Sequence, residues 1–331
     1  MYIVETYTTA VVLTFITMLC WGSWANTQKI AGGYRFELFY WDYVIGILLF
    51  SLILGFTLGS NGSQGMSFME SITGATGKNI LNAAIGGVIF NLSNILLVAA
   101  IAIAGMSIAF PVGVGLCMVL GVIINYIATP KGNANILFAG VALVTLAIIF
   151  DAFAYRKLLT NKSKTPAKGI ILSVLAGFLM AWFFRFVASS IASDPVNPEP
   201  GMLTPYSAFF FFVLGIVASN FVFNTILMKK PIEGAPVTFG QYFKAGAKGH
   251  IAGLLGGMVW AVGTSLSLIA AGKAGYAISF GLGQGAILIG ALWGVFIWKE
   301  FKASPKGTNR LLALMFLCFV AGLALIIVAG A

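Results

Sequence analysis

The chain has 331 residues, 60% of them hydrophobic and 8% charged, and a mean hydropathy of +0.99. That balance excludes a soluble globular domain and marks an integral membrane protein whose partner is the lipid bilayer. The net charge of +10 would suggest nucleic acid in a soluble chain, but all the basic residues except Arg185 lie in short loops between apolar runs, so no nucleic-acid partner is expected.

Taken in order, the apolar runs predict ten transmembrane helices at about 8–26, 39–59, 80–104, 106–127, 134–153, 169–191, 205–228, 249–272, 275–298 and 310–330, each close to the roughly 20 residues that cross a bilayer. Backbone amides in lipid must be satisfied within their own segment, so the runs are helices and the fold class is all-α. The opening MYIVETYTTA has no basic region, and the first run is read as a retained helix rather than a cleaved signal. Cys20, Cys117 and Cys318 fall inside apolar runs, so neither a disulfide nor a metal site is expected, and no cofactor. The single histidine has no carboxylate near it in sequence, which argues against an enzyme.

The chain repeats itself. Shifted by 170 residues without a gap, Gly86–Gly115 falls on Gly256–Gly285 with ten of thirty positions identical, including both paired glycines and the turns at Gly105 and Gly275. Five spans precede the basic linker 158–168 and five follow it. The expected domains are therefore a first repeat over 1–157 and a second over 169–331. An odd number of spans per repeat inverts one half relative to the other. Lys29, Arg35, Arg156, Lys157, Lys162, Lys164, Lys168, Lys229, Lys230, Lys244, Lys248, Lys299, Lys302, Lys306 and Arg310 lie in the loops after spans 1, 5, 7 and 9, against Lys78, Lys131 and Lys273 on the other side. By the positive-inside rule both termini face outward and the linker faces the cytoplasm, which predicts a multi-pass protein of the cytoplasmic (inner) membrane.

The opening MYIVE, Gly22-Ser23-Trp24 in span 1, Trp41-Asp42-Tyr43 opening span 2, Leu92-Ser93-Asn94 in span 3 and Asn125-Tyr126 ending span 4 together resemble the ureide permease family. That family belongs to the drug/metabolite transporter superfamily. The likeness is strongest over residues 1–157. It implies a ten-helix transporter working by alternating access on heterocyclic nitrogen compounds such as allantoin or uracil, with protons as the coupling ion. Related sugar carriers share the outward termini, so a pentose or hexose is the alternative substrate, and a passive facilitator the alternative mode.

A carrier for a small polar solute needs hydrogen-bonding groups at mid-membrane. Asn91 and Asn94 share a face of span 3, and their amides offer donors and acceptors together; bonding between helices is the competing use. In the second repeat the same places hold Ala261 and Thr264, and Thr264 is likewise a substrate-binding candidate. Gln284 is expected near the midplane of span 9, flanked by Gly281, Gly283 and Gly285. Asn220 and Asn224 in span 7 are read as structural. Arg185 in the outer half of span 6 is expected to reach substrate or an acid, or else to snorkel to the interface. Trp21, Trp24 and Trp260 offer flat faces for stacking, and Phe90 is expected opposite Trp260 across the two-fold axis. Pro111 and its counterpart Gly281 are the expected hinges. No acid lies at mid-membrane. Asp42 and Asp151 sit near the cytoplasmic ends of spans 2 and 5, and Asp42, which matches the family's acidic position, is the proton-coupling candidate. His250, opening span 8, is read as interfacial.

Overall fold

In a computed structural model the structure describes residues 1–104, 106–158, 167–232, 234–302 and 304–331, and at 102, 106–108, 110, 111 and 158 the backbone alone. The described residues are helical, with one isolated bridge between Ile191 and Leu203 and no other strand pairing. The helices are α1 (Tyr7–Ser23), α2 (Ala25–Ala31), α3 (Phe36–Phe56), α4 (Phe68–Gly74), α5 (Gly77–Ala104), α6 (Met106–Ala128), α7 (Ala134–Leu158), α8 (Ala167–Ala188), α9 (Pro205–Lys229), α10 (Phe239–Phe243), α11 (Ala247–Ala274), α12 (Tyr276–Gly283), α13 (Ala286–Leu292) and α14 (Thr308–Gly330). Nine helical segments of the described residues are long and apolar enough to cross a membrane, and α6 adds a shorter apolar stretch over Val112–Ala128. Side chains such as Leu317, Phe221 and Val320 are exposed on the outside of this bundle, as in a protein whose solvent there is lipid. The expected turn at Gly105 and most of the linker 158–168 lie outside the described residues, as does the side chain of Pro111.

The two ends of the bundle differ in chemistry. At one, the Met1 ammonium donates to the Gln64 carbonyl at 2.9 Å and the Asn133 amide to that of Ala329 at 2.7 Å; both termini lie here. Capping boxes start α4, at Ser67 and Glu70, and α9, at Thr204 and Ser207 with Pro205 behind the cap, so these helix starts supply their own hydrogen bonds at the membrane edge. At the other, basic end, a third capping box starts the short α10, and Arg35 pairs with Glu37 at 2.7 Å.

Glycine sets how the helices meet. A Cβ on Gly87 of α5 would overlap the Phe212 carbonyl of α9, and one on Gly257 of α11 would overlap the Tyr43 carbonyl of α3. The converse contacts match: Gly215 of α9 presses on the Ala84 carbonyl of α5, and Gly46 of α3 on that of Leu254 in α11. Backbones this close need small residues on both sides. Around these pairs α1 packs on α11, α5 and α6 on α8, α7 on α14, α3 on α9 and α6 on α12.

Two spans differ from the continuous helices expected of them. The first carries on from α1 through Trp24 into α2 as far as Ala31. The ninth is broken: α12 stops at Gly283, Gln284 and Gly285 form a turn, α13 follows, and the span finishes in a π-helical turn over Trp293–Ile297. The interruption thus falls three residues beyond Gly281, the expected hinge, which is buried inside α12. At the break the Gly285 amide donates to the Leu282 carbonyl and the Ile287 amide to that of Gln284. The carbonyls of Gly281 and Gly283 thereby lose their ordinary helical donors.

Candidate functional site

Between α1, α5, α7, α8, α11 and the broken ninth span lies a cavity of about 260 Å³, reached from the basic end. Its walls include Trp21, Trp24, Phe90, Asn94, Asp151, Met180, Phe183, Trp260 and Gln284, and its mouth Lys29, Tyr155, Trp293, Trp298 and Glu300. Five of the chain's seven tryptophans border it.

The inner wall is held by a directional polar chain. Asn94 Nδ2 donates to the Tyr40 hydroxyl at 3.1 Å, and that hydroxyl donates to Asn91 Oδ1 at 2.9 Å. Asn91 Nδ2 then donates to Ser219 Oγ at 2.9 Å, and Ser219 Oγ to the Gly215 carbonyl at 2.7 Å. The chain fixes the Asn94 amide and leaves its Oδ1 with no partner among the described residues, turned to the cavity as an acceptor. Gln284, 8% exposed, has both amide groups free of hydrogen bonds among the described residues and is presented there by the helix break. On the facing side Trp21 Nε1 donates to Thr264 Oγ1 at 2.9 Å, and Thr264 donates to the Trp260 carbonyl at 3.1 Å. Phe90 and Trp260, expected opposite each other, meet with ring centroids 4.5 Å apart.

Away from the mouth the cavity is stopped by rings. Phe90 packs on Phe183 at 5.2 Å and on Phe212 at 5.8 Å, and Phe183 on Phe280 at 6.4 Å. All four are at most 5% exposed. The mouth is tied by polar bonds between the ends of the first and ninth spans. Lys29 Nζ pairs with Glu300 Oε1 at 2.9 Å and lies 4.7 Å from the Trp298 ring centre; Trp298 Nε1 donates to Asn26 Oδ1 at 2.7 Å, and Trp293 Nε1 to Ser23 Oγ at 2.9 Å.

The structure thus brings Asn94, Gln284, Trp260 and Trp21 to one cavity and puts other expected residues elsewhere. Thr264 stands one hydrogen bond behind the wall, on Trp21, and Asn91 two, through Tyr40. Arg185, at the end of α8, is at the terminal end, where it and Glu199 act electrostatically on the Tyr276 hydroxyl; it makes no ion pair among the described residues. Of the pair in α9, Asn224 donates to the Glu37 carbonyl at 2.9 Å, while both amide atoms of Asn220 lack partners among the described residues. Asp42 is not in the cavity wall. It is 3% exposed at the basic end and accepts from Tyr242 at 2.7 Å, from Tyr34 at 3.0 Å, and pairs with His250 Nδ1 at 2.9 Å. Burial first, and then the charge and hydrogen bond of Asp42, hold the Tyr34 hydroxyl well above the usual tyrosine range. Burial, then the bond to Asp42, does the same to Tyr242. His250 is therefore a partner of Asp42, brought there by the packing of α3 on α11 across 208 positions of sequence. Trp293, Trp298, Tyr155 and Glu300 carried no sequence signal beyond that of an aromatic interface belt.

Comparison with known proteins is consistent over the whole length. The family model described as ureide permease matches residues 39–168 and 155–329. The chain is 23% identical to Ureide permease 1 and to Ureide permease 2 of Arabidopsis thaliana, each match covering 98% of both chains. It is 22% identical to Probable ureide permease A3 of Vigna unguiculata over 93% of this chain and 99% of that one. A solved crystal structure, 16% identical, superposes with a TM-score of 0.62 over 96% of each chain and shares the fold.

Proposed function

The chain belongs to the ureide permease family, a family of transporters and not of enzymes, and from that premise we propose that it is a secondary transporter of the cytoplasmic membrane. It carries a small polar solute of the ureide or nucleobase kind, such as allantoin or uracil, inward by alternating access with protons. The observation that carries this reading is the cavity itself: the free Oδ1 of Asn94 and the free amide of Gln284 between the rings of Trp21 and Trp260, open at one end and stopped at the other by Phe90, Phe183, Phe212 and Phe280. A planar ring bearing alternating N–H and C=O groups can stack on the indoles and exchange hydrogen bonds with both amides. At about 260 Å³ the space lies just below the roughly 300–1,000 Å³ of drug-sized pockets, which suits a solute of one or two rings.

Ten spans in two inverted repeats, 1–157 and 169–331, belong to the same proposal. The helix pairings support it, because exchanging the halves turns each into another that is present: α5 on α8 into α11 on α1, and α5 on α9 into α11 on α3. With the basic end inward, the cavity faces the cytoplasm and both termini lie outside. In this cycle Asn94, Gln284, Trp260 and Trp21 touch the substrate, Asn91 and Thr264 hold them, and Arg185 with Glu199 belongs to the outer gate. A coupling role for Asp42 would run through His250. The five tryptophans around the cavity favour a sugar as second reading, since indole faces also stack on C–H surfaces.

The test is uptake of labelled allantoin, uracil and a pentose and hexose panel into proteoliposomes, with and without an inward proton gradient. Gradient-driven accumulation of allantoin or uracil supports the proposal. Uptake confined to sugars removes the ureide or nucleobase substrate, and uptake that only equilibrates makes the protein a facilitator.

A further inference from the structure

One side chain of the cavity has no assigned work. Asp151 of α7 is 8% exposed, lines the cavity, and its Oδ1 has no hydrogen-bond partner among the described residues. The charge that reaches it is negative: the Glu300 carboxylate, held at the mouth by Lys29 and by the Tyr155 hydroxyl at 2.9 Å. Of the helices packed on α7, α6 carries the buried Cys117 and α14 the exposed Arg310, and neither makes an ion pair with Asp151 among the described residues. Arg156 and Lys157 lie beyond it at the exposed end of α7. A buried carboxylate without a counter-charge costs several kcal/mol, so something positive must visit this side chain.

Its surroundings select which cation. Sodium needs several oxygen ligands, but Glu300 is already engaged by Lys29 and Tyr155, and the described residues form no group of three or more His, Cys, Asp or Glu side chains. One carboxylate in the cavity wall, its buried Oδ1 unpartnered among the described residues, suffices for a proton. We propose that Asp151 is the proton-binding site of the transport cavity, filled and emptied once per cycle. The proton adds to the carboxylate from cavity water and turns it into a neutral acid; it returns to water when the cavity opens on the other side. Closing the cavity over ionised Asp151 buries the charge outright, whereas closing over the protonated form does not, so movement between open states is tied to the proton. This deepens the transport reading and rests on it for the coupling step, whereas the protonation itself can be measured without substrate.

The first measurement is therefore infrared difference spectroscopy of the reconstituted protein between acid and alkaline buffer. A protonated-carboxyl band that disappears in Asp151→Asn and shifts in Asp151→Glu is expected. An unchanged band in Asp151→Asn overturns the assignment. The second is transport of allantoin and uracil: Asp151→Asn is expected to lose uphill accumulation, its inside-to-outside ratio falling to about one, and to show counterflow that no longer varies with pH, while Asp151→Glu recovers part of both. Wild-type accumulation persisting in Asp151→Asn overturns the coupling role. If the wild-type protein carries neither compound but the band behaves as expected, the substrate reading fails and the proton site stands. Size-exclusion profiles of both variants establish that they are folded.

Discussion

Asn91 and Asn94 are one turn apart in the same helix and chemically alike, yet their surroundings divide the work between them. Asn94 keeps a free acceptor in the cavity, and Asn91 spends its groups on Tyr40 and Ser219. Asn94→Ala is therefore expected to raise the transport KM about two- to thirteenfold, the worth of one neutral hydrogen bond of roughly 0.5–1.5 kcal/mol. Asn91→Ala strands a buried hydroxyl pair and is expected to lower stability by about 1–3 kcal/mol, read as a fall in Tm in detergent. A KM effect without a Tm change in Asn91→Ala would reverse the two roles. At the basic end, the native fold raises the ionisation of Tyr34 and Tyr242 above that of the unfolded chain. Their contribution to stability is complete below the ordinary tyrosine value of about 10 and is lost as pH rises from there towards the higher native values. Alkaline unfolding followed by tyrosinate absorbance should show a late step that Tyr34→Phe and Tyr242→Phe both diminish.

Among the elements, the ninth span decides the shape of the cavity. Glycines at 281, 283 and 285 are visible in the sequence, but the break at Gln284–Gly285 depends on the first span: Gly22 lies against the Ala286 carbonyl and the side chain of Ile289, and Gly283 against the Trp21 ring. Half-helices meeting at mid-membrane are how carriers present backbone and amide groups to a solute. The ring seal belongs to the same scale. Phe183 touches Phe90, Phe212 and Phe280, so Phe183→Ala removes the shared member. In a cysteine-free background carrying Gln284→Cys, this change should let an impermeant thiol reagent added at the terminal end label that cysteine several-fold faster. Unaltered labelling would mean the seal lies elsewhere.

For the molecule as a whole, contacts between the halves dominate. α5 finds its partners α8 and α9 in the second half, and α11 finds α1 and α3 in the first, so neither half buries its own core. The glycine contacts recur in equivalent places, Gly87 on Phe212 and Gly257 on Tyr43. Gly87→Ala and Gly257→Ala should accordingly cost similar stability, about 1–3 kcal/mol each from overpacking against backbone, measured as paired losses of Tm. A large loss at one and none at the other would contradict equivalent roles for the two contacts.

The apolar runs, the repeated thirty residues and the sided distribution of lysine and arginine are local or periodic properties, so the sequence alone determined a multi-pass helical membrane protein and raised the expectation of a duplicated plan. Gln284, Asn94, Trp260 and Trp21 were also legible, because a polar or tryptophan side chain within an apolar run needs a reason. Only the tertiary structure decided that Asn91 and Thr264 stand behind the cavity, that Asp42 meets His250, and that Asp151 lines the cavity with its buried Oδ1 unpartnered among the described residues. Those facts depend on which helices touch and at what rotation. Glycine contacts and ring packing between distant segments fix both, and neither leaves a periodic trace in the chain.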